Sequence, residues 1–418
     1  MPEGWAWCRL KHVCTMAAGK AKPTDQIMTE PFEGCYPCFG GNGIRGYVDE
    51  YNQDGIFSIV GRQGALCGNI NIAKGKFYAT EHAVVTTLFS GIDFNWSNYV
   101  LEALQLNSYA TGAAQPGLSV ANVLNVFVPV PPTQEQVHIG IRIAESIKII
   151  ENIEDEKENL QTLISSAKSK ILDLAIRGKL VSQNPNDEPA SVLLERIRAE
   201  KEELIKQGKI KRDKKESIIF KGEDNSYYLK TGDITEPLED WELDGLPDSW
   251  SFCCLGEICD YGNCINVATV DIDDSAWILD LEDIEKDTGI VLQKVRKAKR
   301  NSISTKHLFH KGQVLYSKLR PYLNKVVLAD EDGYCTSEIL PLDFQENIIP
   351  QYARYYLMSP TFLQYTNKCS YGVKMPRLGT VDGKKTIITL PPLAEQKRIV
   401  KAIETIFAQL DEISNAIA

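Results

Sequence analysis

Several things are missing from these 418 residues, and each absence closes off a class of function. No stretch approaches the roughly 18 consecutive apolar residues of a membrane span. The opening Met1-Pro2-Glu3-Gly4-Trp5 has no basic region followed by an apolar one, so no signal peptide and no membrane partner are expected. No G-x-x-x-x-G-K-[S/T] occurs, so there is no P-loop for nucleotide hydrolysis. Cys35-Tyr36-Pro37-Cys38 is the sole C-x-x-C, and a four-ligand zinc site needs a second pair at suitable spacing. His307 and His310 lack partners of ligand type, and read as a surface pair. No Ser/His/Asp or Cys/His nucleophile stands out, and no catalytic centre or metal site is expected. Without an export signal the 11 cysteines read as reduced thiols in a cytoplasm.

An excess of positive charge is missing too. The net charge of −10 argues, taken alone, against nucleic acid. Its distribution weakens that argument. Residues 131–246 carry most of the excess acid, whereas 1–130 and 247–390 are each near neutral, and the second of these clusters its positive charge.

What the chain does have is a repeat. Pro131-Pro132-Thr133-Gln134-Glu135-Gln136 and Pro391-Pro392-Leu393-Ala394-Glu395-Gln396 share Pro-Pro-x-x-Glu-Gln, 260 positions apart. At that offset Gly112, Pro116 and Leu118 fall on Gly372, Pro376 and Leu378, and Ile139 and Ile143 fall on Ile399 and Ile403. A second echo opens each copy: Pro2, Trp5, Cys8, Leu10 and Cys14 against Pro247, Trp250, Cys253, Leu255 and Cys259. Solenoid repeats are about 20–50 residues long, so a period this long implies a duplicated domain and a pseudo-two-fold molecule.

The predicted fold class is α+β: two pseudo-symmetric mixed α/β units separated by long antiparallel coiled-coil helices. In the unit over 1–130, residues 56–60 and 83–88 read as strands, and 123–130 as an apolar strand ended by Pro131-Pro132. In the unit over 247–390, 314–316 and 325–329 read as strands and 352–365 as a core helix. Trp5, Trp7, Trp250 and Phe252 read as core anchors. Between them, 131–246 holds a long helix over 133–177, a charged helix over 191–207 and a solvated linker over 208–246. Thr133 and Ser191 are the expected caps, and Gly178 and Gly208 the expected ends.

The long helix carries apolar residues at heptad spacing, with Ile143, Ile150, Ile153, Leu160 and Ile164 in the seam. The distal helix over 391–418 keeps the register through Ile403, Ile406, Leu410 and Ile413, and ends well short of the first. A single heptad helix cannot bury its seam alone, so the expected partner is the other copy. The alternative is two amphipathic helices, each lying on its own unit. At about 1.5 Å per residue the first helix makes a rod of roughly 65 Å.

Gly41-Asn42-Gly43-Ile44-Arg45-Gly46 spells G-x-G-x-x-G, but a strand-like segment follows it instead of the helix a pyrophosphate site needs. Its glycines are expected to serve tight turns. Asn184-Pro185-Asn186-Asp187 matches an amino-methyltransferase motif only in its first two letters. What remains are polar and basic clusters on irregular chain: Asn42, Arg45, Arg62 and Gln63 in the first unit, and Arg296, Lys297, Lys318, Arg320, Lys374 and Arg377 in the second. Such groups suit phosphates through charge, and base edges through bidentate geometry. A non-DNA-binding scaffold, with the coiled coil as its assembly device, is the rival reading.

The chain as a whole resembles a specificity subunit of a type I restriction–modification enzyme. The resemblance rests on Pro-x-x-Trp-x-x-x-x-Leu opening each unit, Pro-Pro-x-x-Glu-Gln leading into each helix, and Leu172-Asp173-Leu174-Ala175-Ile176-Arg177-Gly178-Lys179-Leu180-Val181 in the connector. It implies two target-recognition domains, each reading half of a split, asymmetric target in double-stranded DNA. It further implies helices that set the gap between the halves and dock two methyltransferase subunits. Methylation with S-adenosylmethionine, and ATP- and Mg-dependent cleavage by a restriction/translocase subunit, would belong to partner chains. This chain would then be no enzyme and bind no cofactor.

Overall fold

β-Branched residues and turn-forming glycines divide the first unit into strands that pair antiparallel at every step but one. The computed structural model describes residues 1–64, 66–112, 116–212, 216–224, 226–238, 245–300 and 303–417, in two units, Met1–Glu156 and Lys157–Ala418. In chain order the first holds β1 (Ala6–Arg9), β2 (Cys14–Ala18), β3 (Tyr36–Gly40), β4 (Gly43–Val48), β5 (Gln53–Gly61), β6 (Ile70–Ala79), β7 (Ala83–Leu88), α1 (Phe94–Ala103), α2 (Val120–Val123) and β8 (Phe127–Val130). Six strands make one sheet in the order β2-β7-β5-β6-β3-β4, and β1 and β8 form a separate ribbon. Leu10, Val60, Trp96, Leu101, Leu106 and Val128 fill the core between ribbon, sheet and α1.

The strands expected over 56–60 and 83–88 are β5 and β7. The one expected over 123–130 is shorter. Ser119 caps the four-residue turn α2 by accepting from the Asn122 N–H, and only Phe127–Val130 finds a partner strand, in β1.

The helix α3 (Thr133–Ile176) begins in the first unit and ends in the second. After it come α4 (Ala190–Lys206), β9 (Ser217–Lys221), β10 (Tyr227–Thr231), β11 (Ile234–Pro237), β12 (Ser251–Cys254), α5 (Leu255–Ile258), β13 (Asn266–Val267), β14 (Trp277–Leu279), β15 (Val295–Arg296), β16 (Lys306–Phe309), β17 (Val314–Ser317), β18 (Val326–Leu328), β19 (Gly333–Thr336), β20 (Ile339–Leu342), α6 (Pro350–Leu357), α7 (Pro360–Cys369), α8 (Thr380–Lys385), β21 (Ile387–Leu390) and α9 (Leu393–Ala416). One sheet runs β13-β16-β19-β14-β15, another β18-β17-β20, and β12 and β21 repeat the ribbon.

Several expectations change here. The presumed linker folds: β9, β10 and β11 form a three-stranded antiparallel sheet. The helix expected over 352–365 is two. Pro360 has no N–H to continue a helix, and Ser359 restarts the chain by accepting from the Phe362 N–H. Thr133 is no cap; its hydroxyl donates to the Gly91 carbonyl at 2.8 Å, and the Pro132 carbonyl takes the first helical bond from Gln136 N–H. Ser191 lies inside α4, which starts after Pro189 without a side-chain cap. Gly178 and Gly208 do end their helices, each at positive φ with the next residue's N–H bonded to the carbonyl five residues back, the glycine's preferred geometry. His307 is buried on β16, where desolvation holds its pKa below the ordinary value, while His310 stays at the surface beside Asp332. Trp7 is 58% exposed, not core.

Within the second unit, the end of α3 and α9 pack antiparallel. Lys168 pairs with Asp411 and lies 5.2 Å from the Phe407 ring centre, whereas Ile176, further along α3, gives its carbonyl to Thr389 just before α9. Leu172, Ala175, Ile176, Ile399, Val400 and Ile403 share one core, and Ile164 is buried while Leu160, Ile406 and Leu410 are half-buried. The seam stops there. Among the described residues α9 has 24 residues and α3 has 44. Ile150 and Ile153 stay 55% and 58% exposed, Ile413 is exposed, and Ile143 is only half-buried.

Candidate nucleic-acid interface

The two repeated phrases are two halves of one lock. In the first unit the Trp5 indole N–H donates to Glu135 at 3.1 Å, and in the second Trp250 donates to Glu395 at 3.0 Å. The adjoining glutamine is buried in both copies, and a buried amide must be satisfied on both ends. Gln136 accepts the Asp93 N–H and donates to the Pro131 carbonyl; Gln396 accepts the Ile349 N–H and donates to the Pro391 carbonyl. Asp93 and Ile349 are the residues that precede α1 and α6. Each lock thus fixes the ribbon, the start of a long helix and the next helix to one another. The second is drier: Glu395 is fully buried, which pushes its carboxyl up against the lowering donors Trp250 and Gln183. Of the echoing cysteines Cys14, Cys253 and Cys259 are core thiols, raised by burial, and Cys8 is half-buried against the core.

A matching platform of two paired loops follows each lock. Leu118 N–H bonds to the Arg62 carbonyl and Gly64 N–H to that of Pro116; Leu378 N–H bonds to the Lys318 carbonyl and Arg320 N–H to that of Pro376. Thr111 pairs with Gly117 as Tyr371 pairs with Arg377, and Gln63 bridges Gly117 as Leu319 bridges Arg377. Gly112 and Gly372 have the same φ of +97°. Backbone correspondence therefore sets Arg62 on Lys318, Gly64 on Arg320 and Gly117 on Arg377. Gly64 takes its φ of +94° freely, whereas Arg320 holds +49°, a conformation that costs an L-residue about 1–2 kcal/mol. Such strain persists where surrounding structure imposes it, and clusters at functional sites.

The structure gathers four of the expected contact residues on the second platform. Arg320 and Lys374 are exposed, Lys318 is half-buried, and Arg377 spends its guanidinium on Glu338 at 2.9–3.2 Å. Those bonds hold the Glu338 carboxyl below its ordinary range. On the first platform Arg62 and Gln63 are exposed. Asn42 tops the β3–β4 turn, whose Gly41 backbone approaches Gly61 and Gln63 so closely that a side chain on Gly61 would strike the Gly41 carbonyl. Arg45 lies exposed on β4, bonded to Thr24. The G-x-G-x-x-G is thus a hairpin turn.

Arg296 and Lys297 stand apart from the second platform. Arg296 pairs with Glu331 at 2.9 Å and Lys297 with Asp274 at 2.7 Å, while Arg300 is enclosed by Asp280 and Asp283. Their charge is matched within the fold. Sequence reasoning passed over Tyr322, Tyr371, Val373 and Met375, which are exposed around Arg320 and Lys374. Large apolar residues beside a positive-φ glycine were the available signal. Flat aromatic faces beside cations suit stacking on bases. Among the described residues no group of metal-type ligands gathers, and no helix is long and apolar enough to cross a membrane.

The family described as "Type I restriction modification DNA specificity domain" matches residues 2–162 and 247–418. The EcoprrI specificity subunit of Escherichia coli is 46% identical over 132 residues, 31% of this chain and 33% of that one; the chain thus spans about a third of that relative. The EcoDI specificity subunit of Escherichia coli is 21% identical over all of this chain and 85% of its own length. A chain from a structure described for complex assembly and conformational transition of the type I R-M system superposes with a TM-score of 0.56 at 16% identity, covering 100% of this chain and 93% of that one. That likeness concerns the fold. The doubled lock, the doubled platform and the two matched stretches agree: this chain belongs to the type I restriction–modification DNA specificity family.

Proposed function

We propose that this chain is the DNA-reading subunit of a type I restriction–modification complex, each platform contacting one half of a split, asymmetric target in double-stranded DNA. One observation carries the reading. The two platforms share their backbone bonds but present different side chains, Arg62-Gln63-Gly64 against Lys318-Leu319-Arg320, as two readers of unlike sequences would. Arginine fits the guanine edge bidentately and glutamine the adenine edge. Arg320, Lys374, Tyr322 and Tyr371 would read on one side, and Arg62, Gln63, Asn42 and Arg45 on the other. Arg377 would position its loop through Glu338, and Arg296 and Lys297 would contact phosphates.

The exposed stripe on α3, with Ile147, Ile150 and Ile153 among Glu145, Glu151 and Glu154, suits an apolar, basic-rimmed surface on methyltransferase subunits. Methylation with S-adenosylmethionine, and ATP- and Mg-driven cleavage by a restriction/translocase subunit, would belong to those partners in the cytoplasm. This chain would contribute no catalytic group. Gel shifts with the methyltransferase present test the reading: affinity for target DNA should fall steeply as salt rises. A complex that assembles yet never shifts DNA would favour the scaffold reading.

A further inference from the structure

The loop that closes the second platform is tied at its base and bare at its tip. Tyr371 and Arg377 exchange both backbone bonds, at 3.1 and 2.9 Å, and the Arg320 N–H donates to the Pro376 carbonyl at 2.7 Å. Inside the turn the Arg377 guanidinium, already on Glu338, also donates to the Met375 carbonyl at 3.2 Å. Gly372 turns the chain at a φ of +97°, so tightly that a side chain there would press on the Met375 carbonyl at 3.2 Å. The neighbouring loop is held as firmly. Pro321–Leu323 forms a short turn between Arg320 and Asn324, both at a φ of +49°, and the buried Asn324 amide donates to the Met358 carbonyl at 3.1 Å.

From this base project Val373, fully exposed, and Met375, 46% exposed, with Lys374 between them. Apolar side chains stabilise a fold by leaving water, and at this tip they do not leave it. Closing the loop does not require them either. Thr111 and Gly117 make the same backbone pairing in the first copy, where the repeat offset puts Ala113, Ala114 and Gln115 on Val373, Lys374 and Met375. Those three lie outside the described residues, and by sequence they offer neither a large apolar group nor a cation.

We propose that Val373 and Met375 are a wedge that enters the base stack of the half-site under the second platform and partly unstacks one step; this rests on the function proposed above. Duplex DNA fits the tip better than a protein groove does. The tip stands among exposed Arg320, Lys374, Tyr322 and Tyr371, cations for phosphates and rings for an unstacked base. Apolar side chains that part a base step let the duplex bend around more protein surface. The tied base helps, because a tip ordered before binding loses little freedom on insertion. With Ala-Ala-Gln at the matching positions, the first platform has no such wedge. The distortion therefore falls in one half of the target only.

The test uses the full-length chain assembled with its cognate methyltransferase subunit, on target duplexes carrying 2-aminopurine at each position in turn. That base brightens when unstacked. With wild type, one step in the half that Arg320→Ala relaxes should brighten severalfold. Val373→Ser should return that step to the brightness of free duplex, with thermal midpoint and assembly unchanged, and Val373→Leu should restore the signal. Any base that the methyltransferase itself extrudes should brighten alike in all three. DNA bound without Val373-dependent brightening overturns the wedge alone. So does an affinity loss in Val373→Ser that wild type reproduces when uracil replaces thymine, which assigns a thymine-methyl contact. Weaker methyltransferase assembly by Val373→Ser in the absence of DNA assigns the tip to a protein partner and overturns it too. A wild-type complex that assembles and binds no DNA overturns the functional reading and the wedge together.

Discussion

The two locks are built from the same bonds in unequal surroundings, and the difference separates what is shared from what is free to vary. Trp250 and Glu395 are buried, and Gln183 adds a bond to Glu395 at 2.5 Å; Trp5 and Glu135 are half-exposed. Yet both glutamines make the same two bonds, and both platforms keep the same backbone pairing. Side chains on the platforms are unrestricted by the lock. A scaffold held by a few buried polar bonds can therefore present changed loops without refolding.

The largest expected effect breaks the comparison at the lock. Trp250→Ala should cost about 3–5 kcal/mol, the usual loss for a buried aromatic. Trp5→Ala should cost clearly less, because its ring is already partly in water. Calorimetric midpoints of the two variants measure this, and equal losses would show that the locks are not graded by burial. Next comes Ile403→Asp, which places a charge at a fully buried position between α9 and the end of α3 and should destabilise the second unit. Ile150→Asp or Ile153→Asp, at exposed sites, should leave the midpoint unchanged while weakening methyltransferase binding. A large drop in midpoint for Ile150→Asp would mean that its surface is already packed.

A smaller effect is expected at the platforms. Arg320→Ala should cost about 1–3 kcal/mol of discrimination, the range for a bidentate base contact, with folding unaffected. Binding assays on target and mismatched DNA would register it. The smallest effect sharpens the contrast between Arg320 and the tied Arg377. Hydrogen bonds from Arg377 hold the Glu338 carboxyl below its ordinary 4.5. For a carboxyl lowered by folding, the stabilisation is complete above that ordinary value and is lost as pH falls through the lowered one. Glu338→Gln should remove this part of the acid dependence and leave the midpoint at pH 7 slightly reduced. An unchanged acid profile would sink the assignment.

Much of this was legible in the chain. Pro-Pro-x-x-Glu-Gln and Pro-x-x-Trp announced the duplication, because their bonds are local to the ribbon and the helix start. Gly178 and Gly208 announced helix ends, because positive φ favours glycine. The partnership between Trp5 and Glu135, 130 residues apart, was not legible, since no single motif holds both halves. Charge runs misled in one place: Arg296 and Lys297 looked as free as Arg320, and only the fold brings Glu331 and Asp274 to them. The polar stretch over 208–246 hid a sheet, because Ile219, Tyr227 and Leu229 are too sparse to show a core until Cys254 and Ile387 lie beneath them.

Methylated positions mapped across host DNA, for the wild type and for Arg62→Ala and Arg320→Ala, test most directly whether two platforms read two half-sequences. The wild type should mark two unlike short sequences at a fixed gap, and each substitution should relax one of them while leaving the gap and the other intact. Both substitutions relaxing the same half, or neither altering the marked sequence, would contradict it.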